Sequence, residues 1–220
     1  MAGVDQPAAG TSAHCGVLLL DEAPEVAPRV LQSLREPLES GFVAVSRSKG
    51  VTIFPARFQL IMAANPCPCG YGFGTGERCT CREKDRIRYF SRLSGPILDR
   101  VDMQLSVNPV SHIGAAAPQE GESSEHIRNR VIAARTIAAQ RFASFGWACN
   151  AQASGSWLRE HTPAPVLAVV NKSLSTYQIS LRGAYRVMRL AWTICDLDGR
   201  GSPNLDDVDR ALSLRTQENA

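Results

Sequence analysis

Lysine is nearly missing from this chain: only Lys49, Lys84 and Lys172 occur among 24 basic residues, and none of them follows a glycine. Without a Gly-Lys dipeptide there is no G-x-x-x-x-G-K-[ST] phosphate loop anywhere in the 220 residues. No apolar run approaches the roughly 18 residues of a membrane-spanning helix, which excludes that class. Met1 to Ala13 lack a basic segment followed by an apolar one, so no secretory signal is predicted. Charge of one sign is also lacking. Lys and Arg total 24 against 21 Asp and Glu, a net +3, too near neutral to suggest a wholesale nucleic-acid binder while leaving room for a local basic surface. The dominance of Arg suits bidentate phosphate contacts, although genomic base composition produces the same bias. The four His have no metal-type spacing. Seven Cys, an odd number without a signal segment, point to a reducing compartment, by default the cytoplasm, with thiols free or metal-bound. Cys15, Cys149 and Cys195 stand isolated and are predicted to fill core space.

What is present begins with Gly16-Val17-Leu18-Leu19-Leu20-Asp21-Glu22, an apolar run too short for a helix that stops at two carboxylates. It predicts a central strand of a parallel sheet, buried on both faces. Ligand sites in open α/β sheets lie beyond the carboxyl ends of such strands. An acid there can hold Mg²⁺ while its neighbour orients water, the Walker B pattern. On these seven residues alone a solvated acidic turn fits equally well.

Pro28 to Ser40 has Val30, Leu31, Leu34 and Leu38 at helical spacing, with Pro37 predicting a kink or early last turn and Gly41 its end. Phe42 to Ser46 and Val51 to Phe54 predict a hairpin with a basic tip at Arg47-Ser48-Lys49-Gly50. Phe58 to Ala64 predicts a second buried strand ending at Asn65. A Pro/Gly/Cys-rich loop, a charged helix from Arg82 to Leu93, a helical turn from Pro96 to Val101 and a short strand from Asp102 to Val107 follow. Residues 108–124, rich in Ala, Pro, Gly, Ser and Glu, predict a linker. Helices are predicted over Glu125 to Phe142, with Ile127, Val131, Ile132, Ala134 and Ile137 on a broad stripe, then over Pro163 to Leu174, Leu181 to Leu197 and Leu205 to Leu214. The predicted fold class is α/β: a partial nucleotide-type core over 1–107, a linker, and an all-helical domain over 125–220.

Several motifs occur in an order more specific than any one of them. Gly16-Val-Leu-Leu-Leu-Asp-Glu-Ala-Pro-Glu25, Leu34-Arg-Glu-Pro-Leu-Glu-Ser-Gly41, Phe54-Pro-Ala-Arg-Phe-Gln-Leu60, Ala64-Asn-Pro-Cys-Pro-Cys-Gly70 and Leu93-Ser-Gly-Pro-Ile-Leu-Asp-Arg-Val-Asp102 together resemble the magnesium-chelatase-like AAA+ ATPases of the ComM/YifB type. Ile179-Ser-Leu-Arg-Gly-Ala-Tyr-Arg-Val-Met-Arg189 extends the resemblance into a helical lid, so it covers nearly the whole chain. The resemblance implies a Mg²⁺-dependent ATPase that works as an oligomeric ring on DNA, with ATP and Mg²⁺ as cofactors. It assigns Asp21 to the Mg²⁺ shell, Glu22 to polarising the attacking water, and Asn65 to the sensor-1 position. Arg100 matches the arginine finger that reaches a neighbouring subunit's nucleotide, and Arg182 matches sensor 2. The bland alternatives are an Asn65 that caps a turn before Pro66 and an Arg100 paired with Asp99 or Asp102. Arg182 begins a helix, where a cation opposes the dipole and a phosphate would compensate. Arg186 and Arg189 are predicted to be surface or interface charges. Arg47 and Lys49 could track a nucleic-acid backbone as a pore loop, or be a solvated turn.

Cys67-Pro-Cys69 and Cys79-Thr-Cys81 form two C-x-C pairs able to close a tetrahedral Zn²⁺ site, although C-x-x-C is the usual structural spacing and free or redox-active thiols fit as well. Family members need not carry these cysteines, so a metal here would be structural and dispensable to catalysis. In the family the phosphate loop precedes Walker B, and Ala9 to His14 resembles the approach to that strand. The expectation is a chain shortened at its N-terminus that neither binds ATP tightly nor hydrolyses it alone. Two other identities share these features: a motor subunit of a true magnesium chelatase, and a non-catalytic remnant that binds DNA or a protein.

Overall fold

A computed structural model describes residues 9–47, 50–73, 76–93, 95–107 and 121–215. The chain divides into two compact units, Met1–Val101 and Asp102–Ala220.

The first unit runs α1 (Ala9–Ser12), β1 (Val17–Leu20), a 3-10 turn (Ala23–Glu25), α2 (Pro28–Ser33), α3 (Arg35–Ser40), β2 (Phe42–Arg47), β3 (Gly50–Pro55), β4 (Gln59–Met62), α4 (Glu83–Ser91) and α5 (Gly95–Leu98). Strands β1 and β4 pair in parallel, Val17 opposite Gln59 through Leu20 opposite Met62. A parallel pair needs a long crossover, and here it carries α2, α3 and the hairpin. The predicted hairpin forms, with Phe42 opposite Pro55 and Arg47 opposite Gly50. Its tip, Ser48 and Lys49, and the Arg47 side chain lie outside the described residues.

Alternation along the strands sends Leu20 and Met62 to a core with Ala23, Leu31, Leu93 and Ile97. The other face stays open, and Val17, Leu19 and Ile61 are 55%, 61% and 44% exposed. The expected burial of β1 on both faces is therefore corrected: the sheet has two strands among the described residues, and a layer covers one side. The single helix expected over 28–40 is two helices. Pro37 cannot donate to the carbonyl of Ser33, where α2 ends, and Gly41 at φ +76° closes α3. The expected strand at 102–107 is absent. With no ladder partner, this segment instead docks one backbone N–H, that of Gln104, on the Leu214 carbonyl at 2.6 Å.

The second unit is helical: α6 (Ser124–Arg141), α7 (Gly155–His161), α8 (Ala164–Ser175), α9 (Leu181–Leu197) and α10 (Leu205–Ser213). Ser123, Ser154 and Ser180 cap three of these helices by accepting from the N3 amide, and Asn204 with Asp207 forms a capping box on α10. Helix α9 is central, burying Val187, Met188, Ala191 and Trp192 among Leu158, Val166, Val208 and Ala211. On α6 only Ala134 and Ala138 are buried, while Ile127 and Ile132 are exposed. The expected apolar stripe packs only along the C-terminal half of that helix, since residues 124–130 are all exposed.

Candidate active site

The two acids project because the backbone pushes them out. Ala63 donates to the Leu20 carbonyl at 2.9 Å, and its own carbonyl accepts from Ala23 at 2.8 Å. One residue just past β4 thus binds both sides of the Asp21-Glu22 pair, leaving these two residues to loop outward at the strand tip. Glu22 adopts the left-handed conformation, φ 48° and ψ 43°, and its N–H donates to Asp21 Oδ1 at 2.9 Å. A non-glycine residue there costs of order 1–3 kcal/mol, a strain that clusters at functional sites. Both carboxylates are exposed. No third acid joins them in a metal-sized cluster among the described residues. Mg²⁺ is commonly held in this way, by one or two carboxylates with water and substrate phosphate completing its shell.

Asn65 follows the end of β4, the strand paired with β1, so it and the acids share one end of the sheet, and it is exposed. Two residues that sequence reasoning missed hold this end together. Tyr89 on α4 is 4% exposed and its hydroxyl meets the Asn65 backbone. Burial raises its pKa, the Asn65 bond opposes that, and the charges of Glu25, Glu22 and Cys67 raise it further. Arg92 pairs with Glu25 at 2.8 Å and donates to the Pro24 carbonyl at 3.3 Å, clamping the turn after the acids. No spacing signal marks either one, because Tyr89 acts from α4 and Arg92 from just past its end, 24 or more residues away in the chain.

Arg100 is buried rather than projecting. It pairs with Glu39 at 2.8 Å and donates to the Pro96 carbonyl at 2.5 Å, neither of which is the Asp99 or Asp102 partner weighed from sequence. Its Nε is buried without a partner among the described residues. Arg182 stands exposed in the first turn of α9, in the second unit. Arg186 and Arg189, expected as surface or interface charges, are half-buried: Arg186 pairs with Asp102, and Arg189 donates twice to the Ala153 carbonyl, at 3.1 and 2.7 Å.

The four loop cysteines converge. Cys67 is buried and the other three are half-buried, with all four sulfurs within 4.8 Å of one another. The Tyr71 and Thr80 amides hold the Cys69 thiol down to about 6, and burial pushes Cys81 up to about 12. Of the isolated cysteines, Cys195 is buried as expected, whereas Cys15 is exposed and fills no core.

The family model described as magnesium chelatase, subunit ChlI, matches residues 2–114, and that of the ChlI C-terminal region matches residues 121–215. The chain belongs to the magnesium chelatase ChlI family. Within this AAA+-type ATPase family, the chain is 41% identical over 215 residues to an uncharacterized protein of Mycobacterium tuberculosis, covering 97% of this chain and 42% of that one. It is 37% identical to the uncharacterized protein YifB of Escherichia coli, with 92% and 40% coverage. The competence protein ComM of Haemophilus influenzae is 35% identical, with 96% and 41% coverage. The chain thus spans about two-fifths of the length of these magnesium chelatase family relatives. ATP and Mg²⁺ serve the family in general. No described helix is long and apolar enough to cross a membrane.

Proposed function

We propose that this chain is the hydrolysing and sensing part of an ATP-driven ring motor that remodels DNA in the reducing cytoplasm. The carrying observation is the extruded Asp21-Glu22 pair beside Asn65 at one end of a parallel sheet. Asp21 supplies an oxygen to the Mg²⁺ shell and Glu22 accepts a proton from, or polarises, the attacking water. Asn65 holds that water in line. Bound Mg²⁺ offsets the charge of the phosphates. Arg182 takes the sensor-2 role that the family resemblance implies. Arg100 reaches a neighbouring subunit only after release from Glu39, and stabilises the transferring phosphoryl group in trans. The DNA substrate rests on the competence role carried in the name of the Haemophilus relative.

Because no phosphate loop lies in these 220 residues, the isolated chain is expected to show neither tight ATP binding nor Mg²⁺-dependent hydrolysis. Joined to the phosphate-loop half of a relative, it should hydrolyse ATP, and Glu22→Gln should lower kcat by about 10² or more while leaving nucleotide binding intact. Equal turnover by the Glu22→Gln chimera would refute this assignment. That missing loop also favours a second reading, a non-catalytic module. Strong DNA binding by the chain with no turnover in the chimera would support it.

A further inference from the structure

We propose that Cys67, Cys69, Cys79 and Cys81 bind one Zn²⁺, which folds the loop between β4 and α4. The proposal does not depend on nucleotide hydrolysis. The sulfur of Cys67 lies 3.3 Å from that of Cys69 and 3.7 Å from that of Cys79, and Cys69 and Cys79 are 3.7 Å apart. A disulfide needs about 2.05 Å, so these are not bonded pairs. Four thiolates at about 2.3 Å from a tetrahedral zinc stand about 3.8 Å apart along each edge; the three separations among Cys67, Cys69 and Cys79 lie close to that, and the Cys81 sulfur is within 4.8 Å of all three. An iron–sulfur cube gives each cysteine its own iron and spreads the sulfurs, whereas sulfurs all within 4.8 Å enclose a single ion.

The tight C-x-C spacing, the main objection from sequence, is met by the backbone. The amides of Tyr71 and Thr80 point at the Cys69 sulfur and that of Cys81 at the Cys79 sulfur. Such N–H donors spread the charge of metal-bound thiolates. Each turn also has the glycine it needs. Gly70 and Gly76 sit at φ +79° and +67°, and a Cβ on Gly72 would fall 2.9 Å from the Cys67 sulfur. Among the described residues, none of the four belongs to either hydrophobic core cluster, so packing of that kind does not draw them together. All four coordination positions are filled by protein, so the metal is structural and does no chemistry.

The test uses the full 220-residue chain, produced with added zinc and purified without chelators. Metal analysis should give one zinc per chain, and titration with a mercurial should release it as four thiols react. Cys69→Ser with Cys81→Ser should lower zinc content at least about tenfold, while Cys15→Ser, at an exposed thiol outside the cluster, should not. Should the double variant fail to fold, Co²⁺ added to the metal-stripped chain decides, with a tetrahedral thiolate spectrum expected. Substoichiometric zinc, iron in its place, zinc unchanged in the double variant, or an octahedral Co²⁺ spectrum each overturn the proposal.

Discussion

Glu22 concentrates the sequence-to-function link in one residue. It sits in the left-handed region, its neighbour Asp21 accepts its N–H, and Leu20 and Ala23, on either side of the acidic pair, are both tied to Ala63. Glycine would adopt that conformation without strain, so Glu22→Gly should raise stability by up to about 1 kcal/mol in urea unfolding, even as it removes the proposed water-polarising carboxylate. A loss of stability would show that the carboxylate itself holds the turn. The acids, Asn65 and the four cysteines were legible because chemistry-bearing residues sat at strand ends or in spaced pairs. Tyr89 and Arg92 were not legible, since a buried phenol and a clamping guanidinium look like ordinary helix residues until the fold brings α4 against the turn. Arg100 was legible as an arginine but not in its pairing: Glu39 lies 61 positions earlier and no local pattern links the two.

Among the elements, helix boundaries were the most legible feature, since serine caps and periodicity are local. The strand expected at 102–107 failed because strand formation depends on a partner that sequence does not name. The linkage of α6 to α9 shows what local pattern misses. Asp196, 2% exposed, accepts from Arg141 Nη1 at 3.0 Å and from Asn150 Nδ2 at 2.7 Å, while the Arg141 guanidinium lies 4.4 Å from the Trp192 ring centre. Removing one partner strands the other charge in the interior. Asp196→Ala should cost about 3–5 kcal/mol in urea unfolding, and Asp196→Asn less, because it keeps one acceptor. Equal losses from the two would mean that the lost charge alone, and neither packing volume nor the retained acceptor, sets the cost.

For the whole molecule, the two units carry different cores, and the three tryptophans, Trp147, Trp157 and Trp192, all lie in the second. Tryptophan fluorescence therefore follows that unit alone, while far-UV circular dichroism follows both. Asp207, 1% exposed, is the titrating group to watch there. Burial alone would raise its pKa, but Arg200, bonded at 2.7 Å, and the Asn204 amide at 2.9 Å outweigh burial and hold it below the ordinary value. Arg200, itself raised by Asp207 and Asp198, stays charged throughout. A folded-state pKa below the unfolded value of about 3.9 means the stabilisation is complete above that pH and is lost as pH falls through the folded value. The urea midpoint by fluorescence should accordingly stay level with respect to this group down to about pH 4 and then drop. Asp207→Asn should lower the midpoint at neutral pH and shrink the acid drop. An unchanged acid drop in that variant would assign the transition to other carboxylates and leave the Arg200 pair without a share in the stability of the helical unit.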